Sequence, residues 1–272
     1  MIGRVLIIAG SDSGGGAGIQ ADIKSSSALG AFATTAITAL TAQNTLGVHG
    51  VMPVPNEFIE QQINAVLSDI GADCIKTGML HDSSVIETVI NALDRDAIDI
   101  PVVVDPVMVA KGGAALLQKE AVSILRGRLL PHATLLTPNV PEAEVLVGRE
   151  MQGESDMEAF ARALFDLGPN AVLLKGGHMD GAVVRDILVT ENQTRCYENL
   201  RIDTLHTHGT GCTLASSIAA GIANGLPIEA AVDQAERFLH KAIETAPKLG
   251  GGHGPINHLH TVNQIQTSGR GY

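Results

Sequence analysis

The chain has no Trp and only three Cys, and aromatic residues make up just 3% of its 272 residues. The cysteines, Cys74, Cys196 and Cys212, are odd in number and form no CxxC pair, which argues against a disulfide framework or a structural zinc site. Basic residues are also scarce: 18 Lys and Arg stand against 29 Asp and Glu, giving a formal net charge of −11. With no Lys/Arg cluster, binding along a nucleic-acid backbone is excluded as an expectation. An anionic small molecule is not, because a local site can be positive on an acidic protein. No apolar run is long enough to span a membrane. The short run Val5–Ala9 leads into glycines rather than a cleavage site, unlike a signal peptide. The resulting expectation is a soluble protein of the reducing cytoplasm. Hydrophobic residues make up 45% and charged residues only 17%, a globular composition rather than a disordered one.

Short apolar runs at Arg4–Ala9, Cys74–Lys76, Val102–Val104, Thr134–Thr137 and Ala171–Leu174 read as buried strands. Helical patterns separate them: 19–29, 57–70, 84–93, 120–129, 157–167, 214–223 and 228–246. This alternation predicts βαβ units and a parallel sheet. Two stretches break it. Ala33–Leu40 with Gly47–Val54, and Arg185–Val189 with Gln193–Glu198, read as strand pairs that form a small flap over one end of the sheet. No repeat or linker divides the chain, so a single domain over residues 1–260 is expected, with 261–272 as a flexible tail.

Ligands of open α/β sheets bind beyond the carboxyl ends of the strands. There the sequence places "GSDSGGGAG" (10–18), Asp105, Asn139 with Glu142, and Lys175 before two glycines. Each has a plain structural alternative. The glycine run lacks the Walker Lys-Ser/Thr and serves equally as a tight strand–helix turn. Asn139 and Glu142 have capping-box spacing. Their joint occurrence at one sheet edge is what points to a site. "HGTGCT" (208–213) precedes a small-residue helical segment. Unpaired amides and a positive dipole at such a start suit an anion, and the glycines let it approach. His253, His258 and His260 are read as locally hydrogen bonded rather than as metal ligands.

Taken together, "AGSDSGGGAGIQADIK", "ITALTAQNTLGV", "KTGML", "VDPVM", "LLTPNVPEAEVL", "VLLKGGH", "THGTGCTLAS" and "GHGPINH" resemble the hydroxymethylpyrimidine/phosphomethylpyrimidine kinases of thiamine biosynthesis, within the ribokinase-like superfamily. The likeness runs from about Val5 to His260. It implies a three-layer α/β/α sandwich with a mostly parallel central sheet and a small β flap. It implies ATP and Mg²⁺ as cofactors, a small-molecule pyrimidine substrate and a homodimer. By the same resemblance, Gln43 reads the aminopyrimidine edge, and Ala17, Asp22, Met79 and Val107 line the substrate pocket. Asp105 and Glu142 hold the metal, and Lys175 meets the phosphates. Gly209, Thr210, Gly211 and Cys212 form the anion hole. Asn139, Thr210, Thr213 and Arg237 join Lys175 around ATP. Similar sugar kinases carry an aspartate where Cys212 stands. Two accounts of Cys212 follow: a weak base whose pKa the helix start lowers, or a substrate contact beside a working backbone amide. A pyridoxal kinase and a non-catalytic pyrimidine binder are the alternatives.

Overall fold

A computed structural model describes residues 1–109, 113, 116–118 and 120–262. In chain order the elements are β1 (Arg4–Asp12), α1 (Gly18–Ala28), β2 (Phe32–Asn44), β3 (Gly47–Pro53), α2 (Asn56–Asp69), β4 (Cys74–Thr77), α3 (Ser83–Asp96) and β5 (Val102–Val104). Then come α4 (Ala121–Ile124), which runs on as a π-turn over Leu125–Leu129, β6 (Leu135–Leu136), α5 (Val140–Val147), α6 (Met157–Phe165) and β7 (Ala171–Lys175). Strands β8 (Val183–Thr190) and β9 (Thr194–Leu200) precede α7 (Thr210–Ala223) and α8 (Ile228–Glu244).

All nine strands form one sheet in the order β3-β2-β1-β4-β5-β6-β7-β8-β9. Pairing is parallel from β2 through β7; β3, β8 and β9 join antiparallel to their neighbours. The period-2 alternation of strand side chains splits the core into two layers. Leu6 and Ile8 of β1 pack with Ile75, Val104 and Leu174 on the face covered by α2, α3 and α6. Val5 and Ile7 pack with Cys74, Val103 and Leu173 on the face covered by α1 and α7. Both faces being covered explains why these strands read as continuous apolar runs. Helix α7 sits close because its inward residues are small: Ala215, Ser216, Ala219 and Ala220 are all fully buried.

The two expected hairpins are the outer parts of this same sheet. The β2–β3 pairing covers only Ala39–Asn44, beside and beyond the end of β1. At the opposite edge, Val183–Arg185 of β8 pair with β9 beyond Lys175, where β7 stops. Both hairpins therefore overhang the carboxyl end, one from each side. Helix α5 extends the expected pattern: it fills "VPEAEVLV", with Asn139 and Glu142 forming a reciprocal capping box. Helix α7 begins at Thr210 rather than Leu214, so the anion loop is itself the first helical turn. The expected tail lies outside the described residues from 263 onward.

Candidate active site

The strand order reverses between β1 and β4, the position where open α/β sheets leave a crevice. A cavity of about 1030 Å³ opens there and runs along the carboxyl ends toward β8 and β9. Gln43, Ala17, Met79 and Val107 line one end; Lys175, Asp105, Glu142, Asn139 and the first turn of α7 line the middle.

Asp12, at the end of β1, organises the first end. Its Oδ1 accepts from Gly14 N at 2.7 Å, and its Oδ2 accepts from Gly16 N at 3.0 Å and Ala17 N at 2.8 Å. His208 Nε2 reaches the same Oδ2 at 2.8 Å. Burial raises the Asp12 pKa, but the hydrogen bonds from His208, Ala17 and Gly14 outweigh it and hold the carboxyl below its ordinary value. The amides of the glycine run are thus committed to Asp12, and the run is a shaped turn rather than an open anion cradle. It abuts the second glycine loop backbone to backbone. Gly209 has φ +82°, and a Cβ there would lie 1.8 Å from Gly16 O, so only glycine fits.

Asp22 does not line the cavity. It lies beneath the floor, fully buried, with both carboxylate oxygens 3.0 Å from Lys76 Nζ and a third hydrogen bond from Ser216. Lys76 itself is 0% exposed. Burial lowers its pKa, but the carboxylates, Asp22 above all and then Asp105, more than reverse this and keep the ammonium charged. Ser216 stands one turn below Cys212 on α7, so this pair underlies the thiol. Burial pushes Cys212 up to about 12; Lys76 opposes the rise, while Asp22 and Asp105 add to it. That is opposite to the lowered pKa the base account needs.

In the middle of the cavity Lys175 Nζ lies 3.2 Å from Asp105 Oδ1. A Cβ on Gly211 would sit 3.3 Å from that nitrogen, so the α7 backbone closes directly on it. The first bond within α7 is Thr213 N to Gly209 O at 2.9 Å, which leaves the Gly211 and Cys212 amides without an intrahelical acceptor. Glu142 Oε2 accepts from Asn139 N at 2.9 Å, and Glu142 N donates to Asn139 Oδ1 at 3.0 Å. The capping reading of Glu142 thus holds, and the same carboxylate lines the cavity within electrostatic reach of Lys175 and Asp105. Burial pushes its carboxyl up to about 7, the Asp105 charge adds to this, and Lys175 opposes it.

Two expected nucleotide contacts do not reach the cavity. Helix α8 turns Glu236, Leu239, His240 and Ile243 toward it, the i, i+3, i+4, i+7 face, while Arg237 lies about 100° off that face and is exposed. Thr213 is buried, with Oγ1 2.8 Å from His258 Nε2. The other two histidines also have local partners: His253 Nδ1 lies 3.2 Å from Leu205 O and His260 Nε2 3.1 Å from Phe238 O. Among the described residues no three metal-donor side chains cluster.

Sequence reasoning missed Lys76, although it lies inside a quoted motif, and an acidic pair in the far wall. Asp186 on β8 accepts from Gly176 N at 2.8 Å, and Glu236 on α8 accepts from Asn199 Nδ2 at 3.0 Å. Burial, then Asp186, pushes Glu236 up to about 9. Only the fold brings these two acids together; no local signal could have paired them.

The sequence model of one family, phosphomethylpyrimidine kinase, matches residues 12–257. The chain belongs to the phosphomethylpyrimidine kinase family. It is 46% identical to the hydroxymethylpyrimidine/phosphomethylpyrimidine kinase of Bacillus subtilis, covering 97% of this chain and 98% of that one. It is 48% identical to the thiamine biosynthesis bifunctional protein ThiED of Geobacter sulfurreducens over 97% of its own length, but spans only 54% of that protein. The pyridoxal kinase of Staphylococcus aureus, solved with AMP-PCP and pyridoxal, superimposes with a TM-score of 0.88 at 33% identity over 97% of this chain and 96% of that one. The family's ribokinase-like fold accords with the mostly parallel sheet covered by helices on both faces. No helix among the described residues is long and apolar enough to cross a membrane.

Proposed function

We propose that this phosphomethylpyrimidine kinase family member uses ATP to phosphorylate 4-amino-5-hydroxymethyl-2-methylpyrimidine, then converts the monophosphate to the diphosphate, in thiamine biosynthesis. The observation that carries this reading is the line of groups in one cavity. Gln43 stands at one end, the free amides of Gly211 and Cys212 in the middle, and Lys175 with Asp105 beside them. An amide that offers one donor and one acceptor matches an aminopyrimidine edge. Amides at a helix start and a lysine suit a phosphoryl group in flight, where positioning and charge stabilisation dominate catalysis.

Two buried carboxylates, Asp105 and Glu142, fit Mg²⁺, a hard cation that keeps several waters and takes its remaining oxygens from phosphates. Asp105 would hold it directly and Glu142 through water. When bound it would neutralise charge on the phosphates. Lys175 releases Asp105 to meet phosphate oxygens, and the α7 amides hold the transferring group. Cys212 contacts the acceptor as a neutral thiol. A fixed aspartate would repel the monophosphate in the second step, and a thiol does not.

Residues 1–260 act as one kinase unit in the cytoplasm. A homodimer through the β2–β3 edge accounts for the exposed Phe32, Leu46, Met52 and Phe58, which are 50–71% accessible. Pyridoxal phosphorylation is the second reading, supported by the likeness to a pyridoxal kinase. The test is Mg-ATP turnover by the purified protein with the pyrimidine, its monophosphate and pyridoxal side by side. Passage of the pyrimidine through monophosphate to diphosphate supports the proposal, and turnover of pyridoxal alone overturns it.

A further inference from the structure

The segment 249–258 lies outside the cavity, yet it is bonded to the two regions that frame the acceptor end. At the β2–β3 turn, His253 N donates to Thr45 O at 2.9 Å and Gly252 N to Thr45 Oγ1 at 3.3 Å. The fit is close: a Cβ on Gly252 would overlap Thr45 O, and one on Gly250 would overlap the Thr45 side chain. Two residues before Thr45 stands Gln43, whose backbone is fixed in turn. Ser13 Oγ donates to Gln43 O at 2.8 Å and accepts from Gln43 N at 2.8 Å. Beside the anion loop, His208 N donates to Gly254 O at 3.1 Å, and His253 Nδ1 lies 3.2 Å from Leu205 O. Further on, His258 Nε2 lies 2.8 Å from Thr213 Oγ1, one residue past Cys212, and both side chains are buried. Asn257 N donates to Ala242 O at 2.9 Å, which fastens the segment to α8. One short stretch of chain thus holds the hairpin turn, the approach to the anion loop and the start of α7.

The hairpin needs such a hold. Strand β1 pairs with β2 only as far as Asp12 and Thr41, so Ala42, Gln43 and Asn44 have ladder partners on β3 alone. A two-stranded ribbon in water is marginal by itself. We infer that segment 249–258 is a strap that positions the acceptor site: it holds the β2–β3 turn at Thr45 and the α7 start at His208 and Thr213, and so fixes Gln43 relative to the Gly211 and Cys212 amides. This rests on the reading that the acceptor ring lies at Gln43 and its hydroxyl at those amides. The strap lines no part of the cavity, so its members are positioning residues that act through Thr45, His208 and Thr213. Alignment of the hydroxyl on the phosphoryl group depends on them, because a misplacement of about 1 Å at a reacting pair can cost on the order of 10²-fold. Among the described residues no hydrogen bond joins the strap to Lys175, Asn139, β8 or β9. Its effect is therefore specific to the acceptor, and nucleotide binding does not depend on it.

The experiment is a double-mutant cycle of Gly250→Ala and Thr45→Gly. It reads kcat/KM for 4-amino-5-hydroxymethyl-2-methylpyrimidine and KM for Mg-ATP, with urea unfolding to follow stability separately. In Gly250→Ala the new methyl collides with the Thr45 side chain and pushes the turn off the strap. There kcat/KM for the pyrimidine should fall at least about tenfold, while KM for Mg-ATP stays within about twofold. Thr45→Gly alone loses a single long hydrogen bond and should stay within about threefold of wild type. The double variant removes the collision and should return to within about threefold of Thr45→Gly. Gly250 has φ +80°, so alanine there also strains the backbone. That strain is common to both alanine variants, so the recovery isolates the contact. Unchanged kcat/KM in folded Gly250→Ala, an equal loss for both substrates, or no recovery in the double variant overturns the inference. If Gly250→Ala does not fold, hydrogen exchange of the wild-type protein carries the test. Residues 43–47 and 250–254 should be protected before any pyrimidine is added; fast exchange there that slows only with pyrimidine marks a moving flap and overturns the inference. If Gln43→Leu leaves KM for the pyrimidine unchanged, it is the reading of Gln43 that falls, and the inference with it.

Discussion

Two lysine–aspartate pairs sit about one side chain apart in character. Lys76 and Asp22 are both 0% exposed, share two contacts of 3.0 Å and receive a third from Ser216. Lys175 and Asp105 share one contact of 3.2 Å at the cavity wall, with side chains 12% and 3% exposed. The first pair is sealed and fully satisfied, a fixed charge in the floor. The second has a looser contact at the cavity wall, where the proposed function has its lysine exchange a carboxylate for a phosphate. The same two residue types give a sealed structural element in one place and a cavity-lining pair in the other. Closure to solvent and the number of remaining partners make the difference.

The largest effect should come from breaking the sealed pair. Lys76→Met leaves a buried carboxylate uncompensated and is expected to cost about 3–5 kcal/mol in urea unfolding. Adding Asp22→Leu should recover most of that loss, since a neutral pair of similar size needs no partner. Lys175→Met should do the reverse: stability close to wild type, with kcat reduced by about 10²–10³ in steady-state assays. Should both variants lose stability equally, the distinction between the pairs fails.

A same-sign pair sharpens the contrast. Glu236 is raised in the folded state, so the native protein holds a proton that the unfolded chain releases once the pH passes its ordinary value of 4.5. Stability from this group is full below that pH and declines as the pH rises toward about 9. Glu236→Gln should therefore gain on wild type with rising pH, by on the order of 2 kcal/mol between pH 5 and 9 in denaturant midpoints. The smallest effect is expected at Cys212. Cys212→Ala should retain turnover within about tenfold of wild type, with no limb in the wild-type pH–rate profile near pH 8–9 to assign to a thiolate. Complete loss of turnover with intact binding would restore the base account.

The parallel strands were legible because burial on both faces makes them uninterrupted apolar runs. The cavity's polar groups were legible because Asp105, Asn139, Glu142 and Lys175 each follow such a run. Helix α5 was visible only through its capping spacing, since eight residues carry little periodicity. Lys76 was passed over because a lysine ending a strand is ordinarily solvated, and nothing local announces an aspartate 54 positions away. Arg237 was misplaced for the opposite reason. The resemblance suggested a basic phosphate contact there, but the phase of α8 carries it off the cavity face. Resemblance located the motifs, while helix phase and burial decided which members of each motif line the cavity.

The contact between Gly209 and Gly16 has a further consequence. Two main chains touching without side chains form a spacer of constant width, which rotamer changes cannot lengthen. On the proposed reading, the glutamine that meets the ring is tied to one of the loops this spacer joins, and the amides that receive the phosphate stand on the other. It would then act as a gauge for the length of the acceptor arm: a ring bearing its hydroxyl one carbon further out is expected to be the poorer substrate, which a comparison of kcat/KM for the two alcohols checks.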